Sequence, residues 1–178
     1  MASFSDAHEC DEIPIIAANM HRMILPRQSQ IWAVVKAGQP LQKLYYQICS
    51  GLLGRLCFSG EPDALSAAQW TIMDAGTAFY AKAASIIDHG VSQRFASRIV
   101  SYRAPRGWQA VVRRGETQTL VVVHTFGAAP EAVTLPVGGK IAAQLMRDGL
   151  TVTHPDGQLT VHGLTDFDAA AFILENEG

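Results

Sequence analysis

The densest set of titratable side chains lies near the start of the chain, where Asp6, His8, Glu9, Asp11 and Glu12 crowd together. Carboxylates and imidazole are metal ligands and also proton donors and acceptors. No second cluster elsewhere completes a coordination shell, so neither a metal nor a cofactor is expected. Asp11 and Glu12 stand just ahead of Pro14, where acids suit the positive end of a helix and proline is tolerated. Asp6 stands apart from the rest. It follows a short run, Met1 to Ser5, that reads as the tail of a strand, and a carboxyl at a strand end can act as a general acid or nucleophile. Asp6 is therefore the candidate catalytic residue.

The other reactive side chains are dispersed. His21, His124, His154 and His162 fall in two different regions, which suits separate structural or surface roles better than shared catalysis. Cys10, Cys49 and Cys57 are odd in number and form no C-x-x-C pair, so reduced, buried thiols are expected. Trp32, Trp70 and Trp108 could offer flat faces to a sugar, but Trp70 has the spacing of a packed residue. There is no G-x-S-x-G elbow, P-loop or G-x-G-x-x-G. A net charge of -2 with interspersed signs leaves no basic stripe for nucleic acid. No apolar run is long enough to span a bilayer and no basic leader precedes one, so a soluble, cytoplasmic protein is expected.

One long helix organises the elements that would hold these residues. Ser66 with Gln69 makes a capping box, and Leu65 with Trp70 has the spacing of a hydrophobic staple. Trp70, Met73, Thr77, Tyr80, Ala84 and Ile87 then form one stripe, and Gly90 suits a left-handed C-cap after His89. Before this helix, residues 66–89, shorter segments alternate. A helix from Asp11 to about Met20, an apolar run from Met23 to Pro26, an ambiguous run from Ile31 to Lys36, a helix from Leu41 to Leu52 and a strand within Leu53 to Ser59 read as parallel α/β grammar. After it the period changes. Ser97–Arg103, Trp108–Arg114, Gln118–Phe126, Glu131–Leu135, Lys140–Arg147, Leu150–His154, Gln158–His162 and Ala169–Leu174 read as strands, with hairpin chemistry at Arg114-Gly115, Asp148-Gly149 and Asp156-Gly157. The expected fold is α+β: residues 1–93 an incomplete, helix-rich α/β barrel segment, residues 94–178 an antiparallel β-sandwich.

The ordered succession of Ser5-Asp6, Leu25-Pro26-Arg27-Gln28-Ser29-Gln30-Ile31-Trp32-Ala33-Val34, Leu53-Gly54-Arg55-Leu56-Cys57-Phe58-Ser59-Gly60 and Leu65-Ser66 through Gln69-Trp70 to Ala78-Phe79-Tyr80 resembles the end of a bacterial α-galactosidase of the melibiase type. In those retaining glycoside hydrolases a catalytic (β/α)₈ barrel precedes a C-terminal β-sandwich. The resemblance implies that the chain enters at the sixth barrel strand, with Asp6 as general acid/base, Leu25-Pro26 closing the seventh strand and Leu53 to Ser59 containing the eighth. The family's nucleophilic aspartate belongs to the fourth strand, outside this sequence, so the isolated chain is expected to be inactive. An α-galactoside or another sugar is the implied ligand of the complete enzyme. Unpaired barrel edges would favour self-association. The alternative expectation is a stand-alone carbohydrate-binding or protein-interaction module.

Overall fold

The computed structural model describes residues 2–4 and 10–176. Three strands, β1 (Ala2–Phe4), β2 (Ser29–Val35) and β3 (Arg55–Gly60), pair in parallel in the order β1-β2-β3. Parallel neighbours need a crossover, and the helices supply it: α1 (Ile13–Met20) follows β1, α2 (Leu41–Gly51) follows β2 and α3 (Ala67–His89) follows β3. The remainder is antiparallel. Strands β4 (Val91–Ala96), β5 (Trp108–Arg114), β6 (Gln118–Thr125), β8 (Lys140–Met146) and β11 (Ala169–Glu175) form one sheet in the order β4-β5-β6-β11-β8. A smaller sheet, β7-β10-β9, comes from β7 (Ala132–Pro136), β9 (Thr151–Thr153) and β10 (Gln158–His162). The architecture is α+β, with no closed barrel among the described residues.

The five-stranded sheet is covered on both sides, which is why its central strands read as unbroken apolar runs. Val111, Leu120, Val122, Ala171 and Ile173 point into a core shared with α2 and α3. Their neighbours Ala110, Val121, Val123, Phe172 and Leu174 point the other way and pack with Val133, Leu135, Leu159 and Val161 of the small sheet. The first core runs without a break from Ile13 and Ile15 on α1, through Leu44 and Ile48 on α2 and Ile72 and Ile86 on α3, to the sheet. Helices α2 and α3 approach closely because Gly76 faces Ile48: a Cβ at Gly76 would lie 2.6 Å from Ile48 Cγ2.

The capping box is present as the sequence predicts, with Ser66 Oγ accepting from Gln69 N and the Gln69 side chain returning to Ser66 N at 3.0 Å. The buried stripe is displaced from the expected one. Gln69, Ile72, Met73, Gly76, Phe79, Ala83, Ile86 and Ile87 are buried, while Trp70 is 43% exposed. In an alanine-rich helix several stripes are similarly apolar, and partners choose among them: Gln69 must reach the Lys36 carbonyl at 3.0 Å, and Gly76 must meet Ile48.

Gly90 also departs from expectation. Its φ of -72° and ψ of 155° are extended rather than left-handed, so the chain passes straight from α3 into β4, with Val91 opposite Arg114. Glycine is needed there for space, since a Cβ would sit 2.6 Å from the Ile86 carbonyl oxygen. β4 therefore precedes the predicted strand at 97–103, which is irregular and closed by Ser97, whose N–H and Oγ both engage the Trp108 backbone. The run from Met23 to Pro26 is not a strand either: Met23 is 83% exposed, and β2 begins at Ser29. The remaining antiparallel strands lie within a few residues of their predicted bounds, and the turn at Asp156 (φ 51°) and Gly157 (φ 72°) uses the positive φ its sequence suggests.

Candidate functional site

In an open parallel sheet, ligands are held at the carboxyl ends of the strands, because each strand there releases a loop toward one edge. At this edge β2 and β3 are tied together by polar side chains. Glu61 N donates to the Val35 carbonyl at 2.9 Å, and Glu61 Oε2 accepts from Ala37 N at 3.1 Å. Gln47 Nε2 donates to the Val34 carbonyl at 2.8 Å and its Oε1 accepts from Gln39 Nε2 at 3.1 Å. The loops after β2 and β3 are thus braced against α2 and α3.

Asp6, His8 and Glu9 lie outside the described residues. The connection that carries them leaves β1 and is anchored at its far end. Asp11 Oδ1 accepts from Lys43 Nζ at 2.8 Å, and the Asp11 carbonyl accepts from Tyr46 Oη at 2.6 Å. Burial alone would lower the Lys43 pKa, but the hydrogen bonds and charges of Asp11 and Cys10 together outweigh it and hold the ammonium above its usual range. Asp11 is therefore committed to fastening the loop to α2. Cys10, beside it, has its thiol pKa pushed up by burial.

The histidines do not converge. His124 is fully buried, its pKa held down to about 3 by burial, with Nε2 3.2 Å from Ser50 Oγ and its ring 5.0 Å from that of Tyr46 at 85°. A Ser–His contact suggests nucleophilic chemistry, but the Ser50 hydroxyl donates to the Tyr46 carbonyl at 2.8 Å. It therefore accepts from His124, which has no proton to take from it. His154 contacts the Val137 carbonyl and His162 contacts Thr153, both within the small-sheet region. Among the described residues no three His, Cys, Asp or Glu side chains are grouped to hold a metal. The three cysteines are unpaired, with Cys49 fully buried.

One polar centre carries no motif in the sequence. Asp168 is fully buried and accepts from Arg147 Nε at 3.0 Å and Nη2 at 2.6 Å, while its Oδ1 takes Ala169 N at 3.0 Å. The only sequence signal for it was an acid placed directly before an apolar strand. It joins the loop ahead of β11 to the end of β8, and Gln42 Nε2 on α2 reaches the same loop through the Asp166 carbonyl at 2.9 Å.

No family model and no curated protein matches this sequence. Solved structures do. The α-galactosidase from Lactobacillus brevis superposes with a TM-score of 0.67 at 12% identity, over 98% of this chain and 26% of that one. A GH36 α-galactosidase from Geobacillus stearothermophilus gives 0.66 at 13% identity, over 96% and 25%. Its fold is that of the C-terminal part of GH36 α-galactosidases. The chain spans about a quarter of the length of those enzymes. An α-amylase from Anoxybacillus follows with a TM-score of 0.58 at 14% identity, over 99% of this chain and 48% of that one. No helix among the described residues is long and apolar enough to cross a membrane.

Proposed function

We propose that these residues are the C-terminal part of an α-galactosidase-like glycoside hydrolase. β1, β2 and β3 with their helices act as the last β–α units of its catalytic barrel, and residues 94–178 form its closing β-sandwich domain. The observation that carries this reading is the succession of three parallel β–α units directly followed by two packed antiparallel sheets, matched along almost the whole chain by GH36 enzymes. The α-amylase match supports the broader class of glycoside hydrolase and leaves the sugar to the barrel loops.

In this reading Asp6 is the general acid/base. A retaining glycosidase needs two carboxyl groups about 5 to 5.5 Å apart, one to attack the anomeric carbon and one to protonate the leaving oxygen and then activate water. The proposed nucleophile belongs to a barrel strand outside these 178 residues, so this chain alone has no turnover. The substrate class of the complete enzyme is an α-galactoside, a proposal supported by the Geobacillus neighbours solved with raffinose and with stachyose. Among the described residues no strand pairs with the outer edge of β3, and pairing through it or through β1 makes the isolated chain self-associate.

The reading frame upstream of Met1 tests the proposal. Barrel strands there, one of them ending in an aspartate, are expected, and joining them to this chain yields hydrolysis of a nitrophenyl α-galactoside that Asp6→Asn abolishes. A stop codon and ribosome-binding site directly upstream would overturn the hydrolase reading in favour of a stand-alone module. Turnover by the 178 residues alone would refute the predicted inactivity.

A further inference from the structure

The C-terminal ends of α1, α2 and α3 meet at the opposite edge of the parallel sheet, beside the start of β4. A cleft of about 390 Å³ opens there, with His21, Arg22, Ser92 and Arg94 in its lining. Arg113 stands directly behind this wall. It is fully buried, donates from Nε to Ser92 Oγ at 2.9 Å and from Nη2 to the Leu53 carbonyl at 2.8 Å, and its Cγ lies where a Cβ on Gly90 would come within 2.8 Å. Its Nη1 is buried without a hydrogen-bond partner, and the ring nitrogens of His21 are buried beside the Leu53 backbone.

Positive charge gathers here. Arg22, Arg27, Arg94 and Arg113 make no ion pair with a described residue, unlike Lys43 with Asp11 and Arg147 with Asp168. Burial lowers the Arg113 pKa to about 10 with no carboxylate to offset it, and Arg94 is lowered by burial and by the neighbouring charge of Arg22. The helix ends account for part of this arrangement: Arg113 binds the Leu53 carbonyl just past α2, and Arg27 Nη1 binds the Asp88 carbonyl in the last turn of α3 at 3.0 Å. Each helix terminus is worth about half a negative charge, which helps to hold the buried Arg113 guanidinium. Arg22, Arg27 and Arg94 are exposed to solvent, so the cost of an unpaired buried cation falls on Arg113 alone.

We propose that this cleft is a binding site for a phosphate group, held by Arg22 and Arg94 at the mouth and by His21 at the base, with the Arg113 charge directly behind it. Guanidinium forks match phosphate oxygens, and two or more of them favour a divalent oxyanion over a monocarboxylate. His21 is the built-in reporter. With the cleft empty, burial and the Arg113 charge hold its pKa down to about 4, and a bound dianion replaces that repulsion with attraction. The inference is independent of the glycoside hydrolase reading.

The test is a titration of the full 178-residue chain with inorganic phosphate, followed through the His21 ring signals by NMR and assigned with His21→Gln. Saturable binding is expected, with the His21 pKa rising by about one unit or more and the affinity falling about tenfold in Arg22→Gln and in Arg94→Gln. Both arginines sit at the cleft mouth, so their loss spares the core, and Lys36→Gln at the opposite edge of the sheet leaves the affinity unchanged. Absence of saturation, an unmoved His21, equal affinity in both arginine variants, or tighter binding of acetate than of phosphate would each overturn the assignment.

Discussion

Asp168 shows what a buried charge costs and what makes it tolerable. Its carboxylate is shut off from solvent, and Arg147, Thr165 and the Ala169 amide between them satisfy both oxygens. Arg147→Met would leave the charge uncompensated, and a loss of about 3 kcal/mol in urea-denaturation stability is expected, since breaking a buried pair typically costs about 3 to 5 kcal/mol and Arg147 is partly solvated. His124 behaves in the opposite sense, because it is buried neutral. Its folded pKa of about 3 lies below the ordinary value of 6.5, so the unfolded chain takes up its proton first as the pH falls. The stability it permits is complete above pH 6.5 and is lost on acidification through the window down to about 3, at a slope of about 1.4 kcal/mol per pH unit. His21, lowered to about 4, adds to the upper part of that window. Comparing unfolding free energies at neutral and mildly acid pH checks this, and His124→Phe is expected to flatten the slope by about half. Neither histidine stood out in the sequence, because burial, the cause of both shifts, is a property of the folded surroundings.

At the scale of elements, α3 separates local from non-local information. Its start was legible because a capping box is chemistry between Ser66 and Gln69, three residues apart. Ser66→Ala is expected to cost about 1 kcal/mol. Its buried face was not legible, because α2 decides it. Trp70→Ala is accordingly expected to cost well under the 3 to 5 kcal/mol, approximately, of a buried aromatic, whereas Phe79→Ala, at 5% exposure, pays that cost. Thermal or urea melts of the two variants check the ordering, and a larger loss in Trp70→Ala would place the other stripe inward. The start of β4 follows the same rule. Sequence pattern favoured residues 97–103 for the first antiparallel strand, but the ladder between Val91 and Arg114 is a tertiary pairing that no local signal announces.

Over the whole molecule, the core shared by α1, α2, α3 and the five-stranded sheet ties the parallel and antiparallel parts together. Residues 94–178 expressed alone would expose Val111, Leu120, Val122 and Ile173 on one sheet face. That fragment is expected to aggregate or bind a hydrophobic dye, while the full chain unfolds in a single transition. Separate melting of the two parts, or a monomeric and well-folded fragment, would contradict this. What the sequence by itself determined was the kind and order of most elements: helices by periodicity and caps, the antiparallel strands from β5 onward by β-branched runs between turns, and the change from one regime to the other after α3. These depend on neighbours within a few residues. Only the tertiary structure decided which face of α3 is buried, where β4 begins, that Asp11 fastens its loop to α2, and that four arginines gather where three helices end. Those outcomes depend on residues far apart in the chain, whose distances are set when the layers pack.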